Sequence, residues 1–219
     1  GNAESGTVVS IRYAEQINDD GSRNSNEMEN HYPETEFATD RYICAGGEFT
    51  WSPKFAYHGF QYIEIDGLCE SEIISVSGVF VHQDINRTAD FECSDELLNK
   101  MFKAGVMSTW SNMFYMLTDC PTREKLGWAN DARASCDQVL TDFDSEAFFE
   151  KWFQDVCDSQ KDSGCCPGII SSPGWGYKRF NGPVSDGLLF EIPYQVYRHS
   201  GNTKLMKMGY PHFKKYLSY

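Results

Sequence analysis

The hydrophobic period of this chain changes once, near Asp90, and that change limits the folds open to it. Before it, apolar residues recur at period two in short runs. TVVSIRYAE, 7–15, alternates apolar and polar side chains, the pattern of a half-buried strand. DRYICAGG closes on two glycines. Phe60, Tyr62, Ile63 and Ile65 alternate imperfectly with Gln61 and Glu64, and IISVSGVFVHQ, 73–83, is rich in β-branched residues. No helix-period segment separates these runs, so they predict an antiparallel sandwich rather than βαβ units. The polar, acidic stretch INDDGSRNSNEMENHYPETE reads as a long exposed excursion between strands. Trp51, Tyr57, Phe60 and Tyr62 could form a ligand platform, but packing in a core or between domains is the favoured expectation for them.

After Asp90 the period becomes helical. Ser94 is a candidate N-cap, followed by two acids that suit a helix N-terminus. Leu97, Leu98, Met101, Phe102, Gly105, Thr109, Met113 and Phe114 then predict a helix over about 94–116. Asn130 is expected to cap a second helix with Ala132, Cys136, Val139 and Phe143 on one stripe. Ser145 is expected to cap a third, faced by Phe148, Phe149, Trp152, Phe153 and Val156. A glycine- and proline-rich loop, 161–184, carries Trp175, Tyr177 and Phe180, and loops of that length are commonly functional. A fourth helix is expected over about 186–199, kinked at Pro193 and stopped by Gly201, and a fifth from Thr203. The pattern therefore divides the chain into a β part, 1–90, and an α part, 91–219. Wide apolar helix faces imply helical hairpins stacked into a toroid or a solenoid.

Charge narrows the function. With 19 basic and 32 acidic residues the net charge is −13, which opposes a nucleic-acid backbone or an anionic membrane surface and suits a neutral ligand. The eight cysteines include no CxxC pair, Cys165 and Cys166 are adjacent, and the five histidines are scattered, so neither a disulfide framework nor a metal site is expected. No cofactor-binding motif stands out. No apolar run reaches eighteen residues and the first residues carry no signal-peptide pattern, so a soluble protein of open compartment, cytoplasmic or periplasmic, is expected.

Between the first two predicted helices lies TDCPTREKLGWANDA, 118–132. It concentrates Asp119, Arg123, Glu124, Lys125, Trp128 and Asp131 around the breaks Pro121 and Gly127. A turn between helices needs a cap and a glycine, not this mixture. Carboxylates accept and a guanidinium donates hydrogen bonds, so acids and Arg123 together can bind paired sugar hydroxyls. Trp128 offers an apolar face to a sugar ring. An acid shielded from water beside it would retain its proton, as a general acid must. From spacing alone an equal alternative stands, in which Asp119 and Asp131 cap helices while Arg123 and Glu124 pair on the surface.

This stretch resembles the signature of the α-L-rhamnosidase family of glycoside hydrolases, a run like DCPxRE(R/K)xGWxxDA at the start of a catalytic (α/α)6 barrel. DRYICAGGEFTWSPKFAYHGFQYIEIDG is similar to the β-sandwich domain before that barrel. FFEKWFQDVCDSQ, GPVSDGLLFEIPYQVY and HSGN also resemble family segments, so the likeness covers nearly the whole chain. It implies a β-sandwich followed by the N-terminal helices of an incomplete (α/α)6 barrel. It also implies hydrolysis of terminal α-L-rhamnose from a glycoside or oligosaccharide, with inversion at the anomeric carbon. By position Glu124 matches the general acid. Asp119, Arg123, Trp128 and Asp131, with Asp186 of the GPxxD segment, match substrate-binding positions. Val184 and Ser185 stand where the family often has a tryptophan before that aspartate. The general base of an inverting pair, about 6.5–9.5 Å from the acid, lies later in the barrel than Tyr219. The expectation is therefore a fragment, inactive alone, whose exposed helix faces favour self-association. The competing expectations are a non-catalytic carbohydrate-binding protein, a helical scaffold whose acidic turn only caps helices, and another (α/α)6 enzyme acting on a different sugar.

Overall fold

The computed structural model describes residues 1–24, 36–172, 174–178 and 182–219, with the backbone alone at Trp175. Most of the expected acidic excursion, at 25–35, lies outside these residues, as does Phe180. The chain divides into two compact units. One comprises Gly1–Val81 with Pro121–Arg123, the other His82–Cys120 with Glu124–Tyr219.

The first unit is antiparallel throughout. A three-stranded sheet places β2 (Val8–Ala14) between β5 (Thr39–Ile43) and β7 (Tyr62–Asp66). Two short ladders join β1 (Asn2–Ala3) to β6 (Gly47–Glu48) and β3 (Gln16–Ile17) to β4 (Arg23–Asn24). The register sets Val9 opposite Tyr42 and Tyr13 opposite Ile63. It also sets Arg12 opposite Glu64, where the two side chains pair at 2.6 Å, a favourable cross-strand match. Val9, Ala3 and Cys44 form a small core with Ile11, Tyr42, Phe49 and Ile65 against it. Gly67 closes β7 at φ +91, where a Cβ would stand 2.1 Å from the Val8 carbonyl oxygen. Only glycine fits there. Trp51 and Tyr57 are half-buried, Phe60 is exposed on one side while its ring lies 5.1 Å from that of buried Tyr13, and Tyr62 is exposed. Pro121 is held in this unit by the Gly59 N–H, which donates to its carbonyl at 3.0 Å.

The run Ile73–Gln83 forms no strand among the described residues, contrary to its pattern, and Ile74, Val76, Val79, Phe80 and Val81 are exposed. β-branched residues favour extended backbone, but a ladder needs a partner, which the pattern of one segment does not specify.

The second unit holds α1 (Glu96–Asn112), α2 (Ala129–Asp142), α3 (Glu146–Asp158), α4 (Pro183–Asp186), α5 (Leu188–Ser200) and α6 (Lys204–Leu217). α5 packs against α2, α3 and α6. The stripes expected on α2 and α3 are buried as read, and Val139, Phe143, Phe149, Trp152 and Phe153 meet Leu188, Ile192, Val196 and Leu205 in one core. α5 runs on through Pro193 and ends at Gly201 in the left-handed region, φ 72, as its glycine predicts.

Helix starts differ from the expected caps. Asp95, not Ser94, caps α1, because its carboxylate accepts the Leu97 N–H at 2.9 Å. α1 ends four residues early, where the Ser111 and Asn112 side chains bond carbonyls of their own last turns. α2 begins before Asn130, with Trp128 at its cap position and no side-chain cap. Ser145 stands at the start of α3 but donates its hydroxyl to Val139 O at 3.2 Å instead of capping. Leu97, Leu98 and Met101 on α1 are exposed.

Candidate active site

Residues 113–128 connect α1 to α2, and the second unit holds all of them except Pro121–Arg123. Thr118 is buried, and its hydroxyl meets Asn112 Oδ1 at 2.9 Å, which anchors the connection to the end of α1. The loop is then closed on itself. The Asp119 N–H donates to Leu126 O at 3.0 Å, and the Leu126 N–H returns a bond to Asp119 Oδ1 at 2.9 Å. Asp119 thus spends one carboxylate oxygen holding the loop shut.

Inside the closed loop sits Glu124. Its N–H donates to Cys120 Sγ at 3.3 Å, and its Oε2 accepts the indole N–H of Trp128 at 2.7 Å. Trp128 therefore meets the acid edge-on through its donor. Directly after Glu124 the chain reverses through Lys125 at φ 54, a left-handed conformation that costs a non-glycine residue roughly 1 kcal/mol and marks a position held by its surroundings.

The wall behind the loop comes from the glycine-rich segment. Ile169 and Ile170 are fully buried. The Ile170 N–H donates to Gly127 O at 2.8 Å, the Ala129 N–H donates to Gly168 O at 2.9 Å, and Trp128 pairs with Ile169 in an antiparallel bridge. A Cβ on Gly127 would lie 2.0 Å from Ile170 O, so this close approach requires glycine. Trp152 of α3 donates its indole N–H to the same Ile170 oxygen at 3.3 Å. This strap, and not a side-chain cap, fixes the start of α2. Tyr177, in the same segment, donates its hydroxyl to Ser159 O at 2.6 Å and stacks under the Lys161 ammonium at 4.2 Å, so it fastens the loop to the end of α3.

The acids at the site interact. Asp131, on the first turn of α2, is exposed on its outer side, yet crowding around its carboxyl raises it above the ordinary carboxylate range. The negative charges of Asp119 and Glu124 add to that rise, and a backbone hydrogen bond opposes it. Asp119, Glu124 and Asp131 are therefore one electrostatic group. Arg123 is placed with the first unit.

Asp186, at the end of α4, has other neighbours. It is buried and accepts the Tyr216 hydroxyl at 3.0 Å. Burial raises its carboxyl, against the Gly182 N–H and the Tyr216 hydroxyl, which pull the other way. Among the described residues its Oδ1 has no hydrogen-bond partner. Burial and the Asp186 charge together push the Cys166 thiol up to about 12.

Sequence reasoning gives no role to Cys120 and does not bring out the contact of residues 168–170 with Gly127–Ala129. The i, i+4 spacing of Cys120 and Glu124 within one turn was the available signal for the first. No local pattern signals the second.

Residues 86–219 match the bacterial alpha-L-rhamnosidase 6 hairpin glycosidase domain. The chain belongs to the bacterial α-L-rhamnosidase family. Residues 1–82 match the concanavalin-like domain of bacterial α-L-rhamnosidases. An α-L-rhamnosidase of Formosa agariphila is 32% identical over 222 residues, which are 98% of this chain and 23% of the relative. One from Streptomyces avermitilis is 28% identical over 219 residues, 99% of this chain and 21% of the relative. Among solved structures, the α-L-rhamnosidase from Dictyoglumus thermophilum superposes with a TM-score of 0.85 at 32% identity, covering 99% of this chain and 24% of that one. The Streptomyces avermitilis α-L-rhamnosidase complexed with L-rhamnose gives a TM-score of 0.86 at 27% identity, covering 99% and 21%. The chain thus spans less than a quarter of the length of these relatives.

Proposed function

We propose that the protein acts in the hydrolysis of terminal α-L-rhamnose from rhamnosides, with inversion and with Glu124 as the general acid. The observation that carries this reading is the closed 119–128 loop. It holds Glu124 by its backbone and by one carboxylate oxygen, within a stretch that resembles the α-L-rhamnosidase signature. Asp131, its charge coupled to Glu124, and Asp119 are assigned to sugar hydroxyls, as is Arg123. Trp128 is assigned to the sugar ring. Asp186 is assigned a further hydroxyl, since a buried acceptor without a partner is costly and a hydroxyl donor would satisfy it. The α-helical part is read as N-terminal hairpins of an (α/α)6 barrel and the strands as part of a sandwich. The water-activating base is assigned to no residue of this chain.

In this reading the acid protonates the glycosidic oxygen as the bond to the anomeric carbon breaks, and water attacks the opposite face. The test uses the full-length gene product on an aryl α-L-rhamnoside. Release of β-L-rhamnose as the first product, followed by NMR, and loss of that release in Glu124→Gln support it. Retained turnover in Glu124→Gln overturns it. The 219-residue chain alone is expected to show little or no turnover.

A further inference from the structure

We propose that Cys120 and Trp128 are positioning residues that fix which oxygen of Glu124 carries the proton, Oε1. The inference rests on Glu124 being the acid of the preceding reading. An indole N–H is a donor only, so the Glu124 oxygen it meets at 2.7 Å must accept. In the neutral acid the hydroxyl proton then sits on the other oxygen. Among the described residues no hydrogen bond reaches Oε1, so this oxygen alone is left to pass a proton outward.

Two contacts keep the carboxyl in that orientation. Trp128 is braced from behind, since its backbone pairs with buried Ile169 and its neighbours Gly127 and Ala129 bond to Ile170 and Gly168. The indole edge is therefore carried by the strap rather than by a free loop. At the other end, the sulfur of Cys120 takes the N–H of Glu124 at 3.3 Å, ahead of the left-handed reversal at Lys125. With the backbone held at one end and Oε2 at the other, rotation about the side-chain bonds that would exchange the two oxygens must break the indole bond. Trp128 thus has a role beyond that of a ring under the sugar. Its N–H acts through Glu124, and Cys120 acts through the Glu124 backbone.

The test needs no turnover. In the 15N-labelled chain the Trp128 indole cross-peak, identified by its loss in Trp128→Phe, is followed from acid to neutral pH. It is expected to titrate with the Glu124 carboxyl and to lose that titration in Glu124→Gln. Cys120→Ala is expected to move the Glu124 amide resonance and weaken the indole titration, while Cys120→Ser, which keeps an acceptor, restores both. An indole peak that does not titrate, or that titrates unchanged in Glu124→Gln, overturns the Trp128 role. A Cys120→Ala chain identical to wild type in both signals overturns the Cys120 role. Rhamnoside hydrolysis reads separately: an indole coupled to Glu124 in a full-length protein without that activity would refute the proposed function and leave the clamp standing.

Discussion

Replacing Gly127 by alanine puts one methyl group where the structure leaves no room for it. The new Cβ would lie 2.0 Å from the Ile170 oxygen and 2.7 Å from Met116 Sδ, whereas real Cβ contacts do not fall under 3.0 Å. The methionine can turn away, but the carbonyl is backbone and must move by about 1 Å. That carbonyl accepts the Trp152 indole, and its residue donates to Gly127 O. Losing or stretching these two bonds costs roughly 0.5–1.5 kcal/mol each. Displacing the buried Ile169 and Ile170 side chains adds an overpacking term of roughly 1–2 kcal/mol. Together these give a destabilisation of roughly 2–5 kcal/mol, or a fall in Tm of about 5–20 °C for a unit of this size. Tryptophan fluorescence is a suitable probe of thermal unfolding, because four of the five tryptophans lie in the helical unit. A Gly127→Ala chain that melts within about 1 °C of wild type would refute the steric account of the strap.

Gly105 provides the opposite case. A Cβ there meets nothing within 4 Å in the middle of α1, so Gly105→Ala is expected to stabilise by roughly 0.5–1 kcal/mol in urea titrations. For Asp186 the expectation concerns pH. A carboxyl whose folded value is raised keeps its proton longer in the native state than in the unfolded chain, so its contribution is complete below about pH 4 and is lost as pH rises through the raised range. Asp186→Asn should therefore show a smaller loss of stability than wild type between pH 4 and neutrality; parallel profiles would contradict the raised carboxyl. Thiol chemistry offers a further check. Burial pushes Cys136, Cys157 and Cys166 up to about 12, while Cys69 is exposed. Mild alkylation of the folded chain should therefore label Cys69 well before those three, as read by peptide mass spectrometry.

Where burial follows a local period, the structure was legible in the residues. β2, β5 and β7 lie where alternation placed strands, and Ala132, Cys136 and Val139 on α2, with Phe143 just past its end, are buried as their spacing requires. Gly201 ends α5 because only the left-handed region closes that turn. What resisted reading was set by partners distant in sequence. Ile73–Gln83 has the composition of a strand but no ladder among the described residues. The start of α2 depends on Gly168 and Ile170 rather than on Asn130. The concentration of chemistry at 118–132 was visible from residue types, but its wiring was not. Residue type presents Asp119 as a ligand group, yet it also latches Leu126, and Trp128 as an apolar platform, yet it turns its N–H to Glu124.

The strap has a consequence for how this region comes into being. Gly127–Ala129 and Gly168–Ile170 are joined only after a closure of about forty intervening residues, which include α2 and α3, and such closure costs entropy before its contacts repay it. The setting of Glu124 is thus completed late, once the downstream helices are in place. The amides of Ala129 and Ile170 should exchange with solvent at a common rate, because a fluctuation that frees one frees the other. Each such opening also releases the indole from the carboxylate, so the frequency of strap opening sets an upper bound on how long the acid keeps one orientation.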